Sequence, residues 1–137
     1  MTGLLVALGT VAVAMVIGFL VRSLGGRTRP STAGAVPDEL RRVLAPGAAV
    51  TLVQLTTEFC GTCGQARVLL TGLVDDTPGL AHAEVDLTDQ PELAKRLGVL
   101  RTPTTIAVDA AGAELLRVGG VPKREELLTS LRPHLPA

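Results

Sequence analysis

The sequence predicts a small α/β domain, a mixed sheet with helices on both faces, carried behind one N-terminal membrane-spanning helix. Three observations predict it. Gly3 to Val21 is a 19-residue stretch whose only polar side chain is Thr10. A nearly continuous apolar run at Val50 to Leu55 leads into a helix-spaced and then a strand-spaced segment, the pattern of a β-α-β unit. Two more apolar runs flank Gly112 as a hairpin, with a last helix behind them.

The first 21 residues carry no charged side chain. As a helix rising about 1.5 Å per residue, the apolar stretch is roughly 28 Å long, close to the thickness of a bilayer core. A cleaved signal peptide is the rival reading, but the basic n-region and Ala-x-Ala-like cleavage site it needs are not evident. A buried soluble helix fits less well, because so long an apolar run leaves no face for water. Residues 1–24 are therefore expected to be a retained anchor and the chain a single-pass membrane protein.

Arg22, Arg27 and Arg29 close the anchor, and Gly25, Gly26, Pro30, Ser31, Thr32 and Gly34 read as a flexible tether over 25–36. The folded domain is expected over 37–137. Pro37, with Asp38 and Glu39 in a first turn and Leu40, Val43 and Leu44 behind, predicts a short helix stopped by Pro46-Gly47. The first strand is Val50 to Leu55, nearly continuously apolar and so covered on both faces. Ala66, Leu69, Leu70 and Leu73 then fall at helical spacing up to Pro78-Gly79. Ala81, Ala83, Val85 and Leu87 alternate with His82, Glu84 and Asp86 as a strand. Pro91 to Leu97 is a helix with Gly98 as its stop. Thr104 to Val108 and Leu115 to Val118 form the hairpin, and Pro122 opens a last helix with Leu127, Leu128 and Leu131 inward. The first two strands require a parallel, right-handed crossover, and the hairpin adds antiparallel strands.

From Ala33 onward 105 residues remain, enough for one domain with its own core and too few for two. Thirteen basic and thirteen acidic residues balance, so no electrostatic footprint for nucleic acid exists. Aromatics are nearly absent: Phe19 lies in the anchor and Phe59 precedes the first cysteine.

The only two cysteines stand as Cys60-Gly61-Thr62-Cys63, after the buried strand and at the opening of a helix, which reads as a thiol-disulfide exchange site. Unpaired N–H groups and the dipole of a helix N-terminus favour the thiolate of Cys60, the expected nucleophile. Cys63, one turn on, is placed to resolve the mixed disulfide intramolecularly. Gly61 allows close approach of a substrate backbone, and Thr62 helps set the redox poise. A structural zinc site needs four ligands, and beyond the cysteines only His82 and His134 are available, neither at metal-ligand spacing. No metal is expected, and His82 reads as a surface residue.

These residues, Phe59-Cys60-Gly61-Thr62-Cys63 after a buried strand, Thr102-Pro103 before the next, and Gly119 closing the hairpin, resemble the thioredoxin family over about residues 37 to 133. The resemblance implies the thioredoxin fold, a protein-disulfide reductase or related oxidoreductase, a redox-active Cys60-Cys63 disulfide, no added cofactor, and a cis Pro103. Thr102 would then offer its backbone to an extended substrate segment beside the sulfurs. Substrate contacts are expected at Phe59, Gly61, Thr62, Thr102, Pro103 and Gly119. Phe59 is open to two readings, a packed aromatic or an apolar rim.

Three positions depart from the family pattern: Phe59 replaces Trp, Thr62 replaces Pro, and Gln54 stands where many members have a buried Asp that accepts a proton. An amide cannot take the proton of the second thiol, which leaves a water or Glu58 as candidates. The expected partners are protein disulfides, an upstream electron donor (a thioredoxin reductase or a membrane thiol carrier) and the lipid bilayer. The arginines after the anchor favour a cytoplasmic domain by the positive-inside tendency. The alternatives are an outward-facing oxidase, isomerase or cytochrome or envelope maturation protein and, from another class, a non-enzymatic metal-binding or interaction module.

Overall fold

The computed structural model describes residues 1–136. Its elements are α1 (Thr2–Leu24), β1 (Thr28–Pro30), α2 (Asp38–Arg41), β2 (Val50–Thr56), α3 (Cys63–Asp76), β3 (Leu80–Asp86), α4 (Pro91–Leu97), β4 (Thr104–Asp109), β5 (Glu114–Gly119) and α5 (Arg124–Leu131), followed by a 3-10 turn at Arg132–His134. The sheet runs β1-β5-β4-β2-β3, with β2 and β3 parallel and every other pair antiparallel. This is the expected mixed sheet.

Strand β2 is apolar but for Thr51, Gln54 and Thr56 because it lies second from one edge with both faces covered. On one face Val50 and Leu52 pack with Leu70, Leu73, Leu127 and Leu131, so α3 and α5 close that side. On the other, Val53 and Leu55 pack with Leu40, Leu93 and Leu97, so α2 and α4 close it. Period-two alternation along β2 thus divides one strand between two cores. Removing a fully buried leucine such as Leu70 to alanine would cost about 3 kcal/mol. Helix α4 starts at Pro91 and stops at Gly98, whose φ of 64° is the left-handed cap that glycine supplies cheaply.

Helix α1 is long and apolar enough to cross a membrane, and none of its residues is buried. Its inner hydroxyl is satisfied within the helix: Thr10 donates to the Val6 carbonyl at 2.8 Å. No unpaired side-chain polar group faces outward along the apolar stretch, as a lipid environment requires.

The segment 25–36, expected as a flexible tether, is paired with the sheet instead. The Gly26 N–H donates to the Gly119 carbonyl at 2.8 Å, Thr28–Pro30 pairs with Leu116 to Val118, Ser31 N–H donates to Leu115, and Val36 N–H to Gly112. Its Gly, Pro, Ser and Thr content carries no strand periodicity, so tertiary pairing overrides local preference. Pro30 is tolerated because the strand is at the sheet edge.

Candidate functional site

Strand β2 ends at Thr56, and the next four residues turn the chain toward α3. The Cys60 N–H closes that turn on the Thr57 carbonyl at 3.3 Å. Cys60 and Cys63 form a disulfide with their Cα atoms 5.5 Å apart. Helix α3 begins at Cys63 itself, so Cys60 sits in the turn just ahead of the helix. Thr62 is the N-cap and makes no side-chain cap hydrogen bond, which leaves the first-turn N–H groups without a side-chain acceptor. The two sulfurs are unequal in access: Cys60 is partly exposed, whereas Cys63 is only 4% exposed.

The Thr102–Pro103 peptide is cis, and Pro103 is buried. The Thr102 hydroxyl lies 3.3 Å from that of Thr57, tying the proline loop to the turn that holds Cys60. Thr57 therefore joins both halves of the site, a role that the sequence did not signal. On the far side the Gly120 N–H donates to the Pro103 carbonyl at 2.7 Å. Arg101 reaches the Gly119 carbonyl at 2.9 Å, and a Cβ on Gly119 would stand 3.1 Å from the Arg101 Nε. Gly61 and Thr62 are exposed, and Phe59 is 88% exposed. That exposure excludes the packed-aromatic reading of Phe59.

Gln54 is fully buried, and both ends of its amide are occupied. Its Nε2 donates to the Cys63 carbonyl at 2.9 Å, and its Oε1 lies 3.1 Å from His82 Nε2. With the amide nitrogen committed to Cys63, the oxygen faces the imidazole, so His82 Nε2 carries the proton. Gln54 thus fixes the first residue of α3 where a carboxylate would instead titrate. His82, expected at the surface, is half-buried under this contact. Glu58 is exposed, and its backbone N–H bonds Thr88.

Burial holds the His82 pKa below its ordinary 6.5, Glu84 opposes that shift, and Arg67 adds to it. The folded state then binds this proton more weakly than the unfolded chain does. Stability present above about pH 6.5 is lost as the pH falls through that value toward the folded pKa. Denaturant titrations should show a smaller loss between about pH 8 and 5 for His82→Gln, which keeps an N–H donor and cannot titrate. Equal losses would assign the effect to another group.

A partly exposed and a buried cysteine joined in one disulfide beside a cis-proline loop are the arrangement of a thiol-disulfide exchange site. The thioredoxin family model matches residues 32–133, and this chain belongs to the thioredoxin family. "Putative thioredoxin 2" of Streptomyces coelicolor is 31% identical over 72 residues, which are 53% of this chain and 54% of that protein. The chain therefore spans about half the length of that curated relative. Among solved structures, a thioredoxin variant of Halobacterium salinarum gives a TM-score of 0.61 at 23% identity, covering 75% of this chain and 88% of its own. Fasciola hepatica thioredoxin gives 0.58 at 22% identity, covering 73% and 95%. Both share the fold.

Proposed function

We propose that this protein is a membrane-anchored protein-disulfide reductase in which Cys60 attacks and Cys63 resolves. The supporting observation is the difference in access between the two sulfurs at one helix start. In the reduced enzyme the Cys60 thiolate attacks one sulfur of a substrate disulfide, and the other leaves and takes up a proton. Cys63, having lost its own proton, attacks Cys60 and expels the second substrate thiol. The substrate gains two electrons and two protons, and the enzyme is left as the Cys60–Cys63 disulfide.

Phe59 supplies an apolar border to the substrate site, and Gly61 and Thr62 leave its entrance open. An extended substrate segment lies against the backbone of Thr102, just before the start of β4, with Pro103 and Gly119 closing that side. Reduced enzyme is regenerated by a dithiol donor, a thioredoxin reductase or a membrane thiol carrier. Helix α1 is the anchor, and Arg22, Arg27 and Arg29 after it favour a cytoplasmic domain.

The midpoint potential of the Cys60/Cys63 pair in the full chain, equilibrated against thiol buffers and trapped, tests the direction of electron flow. A value near about −270 mV is expected for a reductase. One near about −120 mV would overturn the assignment in favour of an outward-facing disulfide oxidant.

A further inference from the structure

We propose that the redox face works at the bilayer surface, on disulfides of membrane proteins whose cysteines lie near the lipid headgroups. The inference rests on α1 being a membrane anchor and on the reductase chemistry above.

The anchor has no slack. Helix α1 ends at Leu24, Gly25 caps it, and the next residue is already hydrogen-bonded to the sheet through Gly26 N–H and the Gly119 carbonyl. Pairing with the sheet then recurs at 28–31 and at 34–36. Two further bonds clamp the junction: Lys123 Nζ donates to the Ser23 carbonyl at 3.1 Å, and Thr28 N–H donates to Glu126 at 2.8 Å. Gly26 is buried at φ +73°, and a Cβ there would lie 2.2 Å from the Val121 carbonyl oxygen. The chain leaving the helix is thus in backbone contact with the domain.

The clamp is also at the catalytic end. Gly119 accepts from Gly26, the neighbouring Gly120 donates to Pro103, Thr102 meets Thr57, and Thr57 accepts from Cys60. Leu24, Leu100, Arg101 and Gly119 line one cleft of about 760 Å³. The membrane exit and the border of the redox site are therefore walls of the same depression.

The exposed chemistry at this end suits an interface. Beyond residue 24, the large hydrophobic side chains most exposed are Leu100 at 98% and Phe59 at 88%. One lies three residues before Pro103 and the other immediately before Cys60. Arg22, Arg27, Arg29 and Arg101 are exposed nearby. Apolar tips among cations match the boundary of anionic headgroups and acyl chains. A domain seated this way meets border cysteines at high effective concentration, which a long tether would dilute.

The test uses the full chain in vesicles containing anionic lipid, with dithiothreitol as reductant. Two substrates are compared: a transmembrane peptide with its disulfide at the apolar border, and soluble insulin. About ten Gly/Ser residues inserted between Gly25 and Gly26 free the domain by roughly 18 Å while leaving the paired strand intact. The insertion is expected to slow reduction of the peptide about tenfold and to leave insulin reduction unchanged. Unchanged rates on both would overturn the proposal.

A fluorophore at Leu100→Cys, in a chain with Cys60→Ser and Cys63→Ser, gives a second readout: quenching by lipid carrying a shallow quencher is expected. Its absence, while the same label at Val13→Cys is quenched by a deep one, would overturn the seating alone. An unquenched Val13 label would defeat the anchor reading, and no insulin reduction by the unaltered chain would defeat the reductase reading. Either removes the basis of the proposal.

Discussion

Cys60→Ser will abolish disulfide reduction, and Cys63→Ser will leave the protein covalently joined to its substrate. The first follows because Cys60 is the sulfur that a partner can reach, while Cys63 is buried behind it. A serine hydroxyl stays protonated at neutral pH and cannot replace a thiolate attacking a disulfide. The second follows because the mixed disulfide at Cys60 is normally broken by the neighbour within the same turn, a reaction of high effective molarity. Insulin turbidity with dithiothreitol measures the first effect, with activity expected at the uncatalysed background. Non-reducing gels measure the second, as a thiol-sensitive adduct. Full turnover by Cys60→Ser, or an adduct formed through Cys63 in that variant, would reverse the assigned roles.

Arg117→Leu will destabilise the domain by about 3 kcal/mol. Glu114 is buried at the start of β5, and Arg117 meets both of its carboxylate oxygens, at 2.8 and 3.2 Å. The same guanidinium donates to the Leu97 carbonyl at the end of α4. Leucine leaves a buried carboxylate without its counter-ion and that carbonyl without this donor. The paired change Glu114→Gln with Arg117→Leu should recover part of the loss, since the burial cost falls mainly on the unpaired charge. Urea or guanidinium unfolding of the full chain in detergent reads both. A loss below about 0.5 kcal/mol in the single variant would show that the pair behaves as an exposed one.

The central elements were legible because their periodicity is unambiguous. Val50 to Leu55 reads as a strand covered on both faces, and it is one; Pro91 and Gly98 bracket α4 at its observed ends. The cysteine motif, Thr102-Pro103 and Gly119 converge because the antiparallel order brings the end of β2, the start of β4 and the end of β5 to one edge of the sheet. The structure departs from expectation where long-range partners decide. Thr28–Pro30 has a loop composition and becomes a strand only because β5 presents an unpaired edge. His82 reads as outward on an alternating strand, yet Gln54, on the neighbouring strand, draws it into a half-buried contact. A single amide is all that distinguishes that environment in sequence. Thr57 has no distinguishing pattern, since its importance comes from a residue 45 positions away.

The edge pairing of β1 also orders assembly in time. The first strand of the sheet in chain order is joined to the last, with Thr28 opposite Val118. Residues 114–119 are therefore needed before the β1 edge can be sealed, so every element between β1 and β5 must be made before the sheet is complete. Contacts of such separation slow folding, because the intervening chain must be ordered first. Until β5 is made the first strand stays unpaired, which makes this the stage most open to capture by a chaperone or a neighbouring chain.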